Sequence, residues 1–330
     1  MQYSVSTFSV TRGRIATSNS LVSDGSTLPL NITWTHVRDS ATGNYVDSLF
    51  STKYPIGVWT AAYNSSTDTT YALIMAKRAT EELEPIVVNQ TSGVLEANSG
   101  TYYIPVGTYI MDLAVSNVVG TVALDSAITI VMADGRPVET SPETGSYSLS
   151  LLYANTASSY GTLFNGSNNP FVVETISRFA DTPNVFILKV LDKNGTVFSV
   201  KDGEVMKRPN SGIDPDPVYL QNFEDYSPDT YEESDSGTLS IKFPLVPFPI
   251  SSLGNGYNMY YRIPTEYVHI DSTSTWSSNT EGNYYQGTSD SHYLGTYTDG
   301  LYDFSFRIPI RIQVPGSYEL TIQLLNATHQ

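Results

Sequence analysis

The sequence predicts an all-β protein made of two antiparallel β-sandwich domains, and three observations carry that prediction. An eleven-residue phrase returns at 107–117, 145–155 and 316–326, each copy opening on Gly, with Tyr third and Asn last. In each copy apolar residues then fall on alternate positions: Tyr109, Met111, Leu113 and Val115; Tyr147, Leu149, Leu151 and Tyr153; Tyr318, Leu320, Ile322 and Leu324. That is the period of a strand with one buried face. Clusters of Gly, Asn, Ser and Asp punctuate the chain between such runs, and no long stretch keeps a helical period.

Residues 1–134 are expected to form the first domain. Its strands are placed at 3–10, 28–36, 70–76, 100–104, 109–115 and 122–132, with one short helix at 78–84. Trp34 alternates with Ile32 and His36 and is expected on the core face. Residues 135–145 are rich in turn formers and read as a linker. The second domain, 146–330, is a larger β-sandwich or jelly-roll-like unit. Its strands are placed at 147–153, 171–176, 185–191, 197–200, 239–243, 259–263, 267–270, 302–308 and 318–324. In the turn 191–196 the pair Asn194-Gly195 predicts a tight type I′ hairpin, which needs positive φ at both residues.

Composition narrows the function. A net charge of −16 opposes phosphate backbones and anionic membrane surfaces, so nucleic acid is not an expected partner. The absence of cysteine removes disulfides, thiolate metal sites and cysteine nucleophiles together. Apolar runs at 127–133 and 243–250 are too short to span a bilayer. The first residues lack the basic start and apolar stretch of a secretory leader. Either the protein is intracellular or a leader has been removed; the low charged fraction of 15% and the abundance of Tyr, Ser, Thr and Asn favour export.

Nine of the 24 tyrosines lie between Leu253 and Tyr302, together with Trp276. By composition 271–287 is a loop, so its aromatics have no duty in a strand core. Flat rings with polar tips, set among Ser, Gly and Asn, suit recognition, and sugars offer matching C–H faces and hydroxyls. Trp276, Tyr284, Tyr285 and Tyr293 are therefore the expected ligand-binding residues. The plainer alternative is that these rings cover a sandwich edge or fill an interface. Asp214, Asp216 and Asp225 belong to an acidic stretch that could hold calcium, whose coordination tolerates irregular spacing; a solvated loop is the competing reading. No other cofactor is expected. The four histidines show no metal-ligand spacing, and no nucleophile elbow, zinc-protease motif or phosphate loop is present. Neither Glu281 nor Asp290 can be paired with a second carboxylate, so an enzyme is not expected.

Residues 107–131, with Gly107, Tyr109, Met111, Leu113, Val115 and Asn117 before a last strand ending at Val131, resemble the final two strands of immunoglobulin-like domains, particularly of the polycystic-kidney-disease type. The resemblance implies that Tyr109 forms a tyrosine corner, a structural role extended by the repeat to Tyr147 and Tyr318. Together with the acidic, cysteine-free composition, it makes the chain resemble cell-surface lipoproteins of Bacteroidetes, including those encoded beside glycan-uptake systems. That likeness implies an outer-membrane surface location, attachment through a lipid anchor, and a polysaccharide, oligosaccharide or surface-protein partner.

Overall fold

A computed structural model of the chain describes all residues except 65, 69–70, 141–146, 154–159, 167–170, 209–219, 244–245, 252, 254–255, 272–282, 286–292, 297–299 and 301. The protein is all-β, of sandwich type. It forms two compact units, residues 1–63 with 75–137, and residues 64–74 with 138–330.

In the first unit, strands Asn31–Asp39, Gly107–Ser116 and Thr121–Ala133 pair antiparallel, and Thr7–Thr11 adds to the last in parallel. Tyr109, Met111, Leu113 and Val115 are all at most 2% exposed, so the alternation read from the sequence is the core face. Tyr109 donates its hydroxyl to the carbonyl of Pro105 at 2.8 Å, closing a tyrosine corner.

The second unit is a sandwich of two five-stranded sheets. One runs Tyr160–Gly166, Tyr147–Tyr153, Tyr302–Pro309, Asn258–Ile263, Met206–Lys207; the other runs Val172–Ala180, Ser317–Leu324, Val185–Leu191, Leu239–Lys242, Glu232–Glu233. Tyr318, Leu320, Ile322 and Leu324 are fully buried. Gly316 opens that strand with φ +144, and an added Cβ would lie 2.7 Å from the carbonyl oxygen of Ala180. Only glycine fits there. Tyr147 is buried too, but its hydroxyl has no partner among the described residues.

Tyr318 makes a second corner. Its hydroxyl donates to Val314 O at 2.7 Å and accepts from Arg178 Nε at 3.1 Å. Tyr318→Phe orphans a carbonyl and a guanidinium N–H in a dry site, so we expect a loss of about 1–3 kcal/mol. The midpoint of urea unfolding checks this, and an unchanged midpoint would remove the hydroxyl from the stability of the fold.

Several elements differ from the sequence expectation. The segment 78–84 is not a helix: Arg78–Leu83 is a strand paired antiparallel with Tyr54–Trp59. So short a helix has a costly nucleus, whereas a neighbouring strand satisfies every second backbone group. In place of a strand at 70–76 there is a helix, Tyr71–Met75, whose Ile74 is fully buried in the core of the second unit. In place of a strand at 100–104 there is a 3-10 turn, Ser99–Tyr103, capped by Asn98 accepting from Gly100 N–H at 2.9 Å. Residues 197–200 contribute only an isolated bridge, Leu191 to Val197. Val138–Glu139, within the segment read as a linker, pairs with Arg311–Ile312.

Two local geometries explain further departures. Trp34 keeps the core face, partly buried and packed against the core with its indole N–H donating to Glu84 Oε2 at 3.0 Å, but His36 is exposed. A bulge opposite Asp112 and Leu113 breaks the period of two, so Val37 takes the core position. At 191–196 only Gly195 has positive φ, at 86°. The Asp192 carboxylate accepts from the N–H groups of Asn194 at 2.8 Å and Thr196 at 2.7 Å, which holds Asn194 outside the left-handed region and excludes the type I′ turn.

Candidate functional site

Of the residues expected to bind ligand, Trp276 lies outside the described residues. Tyr284, Tyr285 and Tyr293 lie on strands and not in a loop: Asn283–Tyr285 pairs antiparallel with Tyr293–Thr296 as a two-stranded ribbon. Its register sets Tyr285 opposite Tyr293 and Tyr284 opposite Gly295, with a bulge between the two pairs. The ribbon runs beside Tyr160–Gly166, the edge strand of its sheet. Three ring-bearing positions thus stand together at one border of the sandwich.

Asp214 and Asp216 lie outside the described residues. Asp225 is engaged: its Oδ1 accepts from Lys207 Nζ at 2.9 Å and its Oδ2 from Asn222 Nδ2 at 2.8 Å. Asn222 caps the short helix Phe223–Tyr226 by accepting from Asp225 N–H at 2.9 Å. Among the described residues no three His, Asp or Glu side chains are grouped as metal ligands.

The acidic stretch does form something the sequence reading missed. At the opposite border of the same sandwich, edge strands Met206–Lys207 and Glu232–Glu233, one from each sheet, flank a cavity of about 410 Å³. Its lining mixes apolar side chains, Val200, Val205 and Met206, with Lys207, Glu224 and Glu233 and the rings of Tyr231 and Tyr261. Lys207 Nζ bridges Asp225 and Glu224, the latter at 3.2 Å. Burial pulls the Lys207 ammonium down, but the hydrogen bonds and charges of Asp225 and Glu224 outweigh it and leave its pKa above the ordinary lysine value. Tyr231 donates to Glu233 Oε1 at 3.1 Å; burial first, then the charge of Glu233, push its hydroxyl above the ordinary tyrosine value. Tyr261 is 3% exposed, and its oxygen accepts from Phe223 N–H at 3.0 Å. Burial pushes its hydroxyl well up, partly offset by that N–H. No sequence signal announces this constellation, because Lys207 lies on a strand and Glu224 and Asp225 on a separate helix, and only the fold brings them together.

In the first unit Trp59 and Tyr63 are 47% and 37% exposed, with ring centroids 5.9 Å apart and Arg78 over the Trp59 ring at 4.4 Å.

Fold and geometry together define an all-β sandwich protein with an aromatic ribbon at one edge and a polar cavity at the other. No protein-family model matches the chain, and no curated protein does. Among solved structures it is similar to a SusE-like surface-located polysaccharide-binding protein from the Bacteroides thetaiotaomicron heparin utilisation locus, at 8% identity and a TM-score of 0.25, over 98% of this chain and 72% of that one. It is also similar to the N-terminal eight immunoglobulin domains of Down syndrome cell adhesion molecule, at 10% identity and a TM-score of 0.15, over 96% of this chain and 39% of that one. At TM-scores this low neither likeness bears on what this chain binds.

Proposed function

We propose that the protein is a non-catalytic, cell-surface glycan-binding protein whose C-terminal unit presents Trp276, Tyr284, Tyr285 and Tyr293 to a polysaccharide or oligosaccharide. The observation that carries the reading is the pairing of Tyr285 with Tyr293 on a ribbon at the sandwich edge. A paired ribbon fixes the spacing of its backbone positions before ligand arrives, which lowers the ordering cost of binding. In this reading stacking supplies most of the affinity and neighbouring hydroxyl and amide side chains discriminate among sugars. The first unit is an immunoglobulin-like spacer of the polycystic-kidney-disease type, and attachment to the outer membrane is through an N-terminal lipid. Among the described residues no helix is long and apolar enough to cross a membrane.

A glycan array spanning plant, host and bacterial polysaccharides tests the reading, followed by calorimetry. Trp276→Ala and Tyr285→Ala are each expected to weaken binding about tenfold or more, since each removes a large apolar contact face. Silence of the wild-type protein across the array would overturn the proposal.

A second reading is an adhesive module with a protein partner. It is favoured by Val118 and Val119, 82% and 80% exposed at the tip of the turn joining Gly107–Ser116 to Thr121–Ala133. Apolar side chains at a hairpin tip are a ready contact for another protein.

A further inference from the structure

The cavity between the two edge strands has hydrogen-bonding groups that remain unspent. Glu224 uses Oε2 on Lys207, and Glu233 uses Oε1 on the Tyr231 hydroxyl; the second oxygen of each carboxylate remains open as an acceptor. Lys207 commits two N–H groups to Asp225 and Glu224, and an ammonium has a third. Tyr261 is buried and lines the cavity; its hydroxyl accepts from Phe223 N–H, while its own proton has no acceptor among the described residues. A buried hydroxyl proton without an acceptor is costly in a folded protein and calls for a partner.

The open groups are therefore two acceptors and two donors, to which Lys201, also lining the cavity, adds the N–H groups it does not commit to Asp235. A cation would satisfy the carboxylates and oppose the Lys207 ammonium; an anion would do the reverse. A ring bearing several hydroxyls satisfies both sets, because each hydroxyl donates once and accepts as well. The apolar side chains of Val200, Val205 and Met206 would meet its C–H face. A volume of about 410 Å³ falls within the roughly 300–1,000 Å³ of small-molecule sites.

We propose that this cavity binds a neutral polyhydroxylated ring, a single terminal residue of a saccharide. The choice of a sugar rests on the glycan-binding reading above, yet the site is separate from the tyrosine ribbon. Strand Tyr160–Gly166, beside the ribbon, and strand Met206–Lys207, beside the cavity, are four interstrand steps apart in one sheet, roughly 19 Å. No single ring reaches both.

The test uses the whole chain and free glucose, galactose, mannose, xylose and N-acetylglucosamine as probes in saturation-transfer NMR, with ethylamine and sulfate as charged controls. At least one sugar is expected to bind, neither ion to compete, and Glu233→Gln to weaken that sugar roughly tenfold through loss of a charged acceptor. Glu233 is exposed, so this variant keeps the fold; Tyr261→Phe, with thermal unfolding as its control, removes the buried donor and is expected to abolish the signal. A positive array with no free sugar bound, or sugar binding indifferent to Glu233→Gln, overturns the cavity and leaves the ribbon standing. A silent array with a Glu233-dependent free sugar does the opposite, and silence in both removes both proposals.

Discussion

Replacing Asp303 by Ala lowers the thermal midpoint of the larger unit by about 6–12 °C, the equivalent of roughly 3 kcal/mol. Asp303 lies on the central strand Tyr302–Pro309 and its carboxylate meets the Arg262 guanidinium from the adjacent strand Asn258–Ile263. The two side chains are 4% and 12% exposed. The second carboxylate oxygen accepts from Thr265 N–H at 3.0 Å. Truncation therefore strips a nearly dry guanidinium of its counter-charge and orphans a backbone donor at once. Breaking one side of a buried pair costs far more than the pair is worth, because the desolvation of the surviving charge is no longer offset.

Two companions separate the parts of that loss. Asp303→Asn retains an acceptor for Thr265 and should cost visibly less, isolating the charge. Removing both ends together, as Arg262→Met with Asp303→Leu, should come closer to wild type than Asp303→Ala alone. Scanning calorimetry reads all three. A shift below about 2 °C for Asp303→Ala would mean that the other contacts of Arg262 carry its charge without the carboxylate.

What was legible in the sequence is what is local. The alternation through Tyr109, Met111, Leu113 and Val115, and through Tyr318, Leu320, Ile322 and Leu324, is a property of a few consecutive residues, and the buried faces follow it. Most of the errors share one physical origin, interactions set by distant chain; the turn at 191–196 is the local exception. Residues 78–84 looked helical only until Tyr54–Trp59 offered a partner. His36 left the core face, while Trp34 stayed packed against the core, because a bulge arises from pairing with Gly107–Ser116, which no reading of strand Asn31–Asp39 alone could supply. At 191–196 the dipeptide Asn-Gly was overridden by the carboxylate two residues before it. For the binding site, the crowding of tyrosines was visible as composition, whereas the register that sets Tyr285 opposite Tyr293 was not. The cavity was invisible, since its ammonium and carboxylates come from strands of different sheets and a separate helix.

That same carboxylate, Asp192, is expected to make the second unit sensitive to acid. It is 1% exposed. Oδ1 holds the turn through Asn194 and Thr196, and Oδ2 accepts from His329 N–H at 3.1 Å, tying the C-terminal strand Ala327–His329 to the sandwich. Burial raises its pKa, but the hydrogen bonds from His329, Thr196 and Asn194 outweigh it, and the native value lies below that of a free aspartate. With the folded pKa depressed, the stabilisation is complete above the unfolded value of about 3.9 and is lost as pH falls through the native value. Asp192→Ala, which leaves three backbone N–H groups without their carboxylate, should cost about 2–4 kcal/mol at neutral pH and flatten this part of the acid limb. Asp192→Asn should behave differently. Its amide keeps one oxygen for Asn194 and Thr196 but cannot accept from His329, so the turn survives and the last strand is released. Hydrogen exchange then distinguishes the two: in Asp192→Asn protection falls at Ala327–His329 while Thr196 stays protected, and in Asp192→Ala both are lost. Equal protection at His329 in wild type and Asp192→Asn would show that the pairing of Ala327–His329 with Val268–Ile270 holds the C-terminus without the carboxylate.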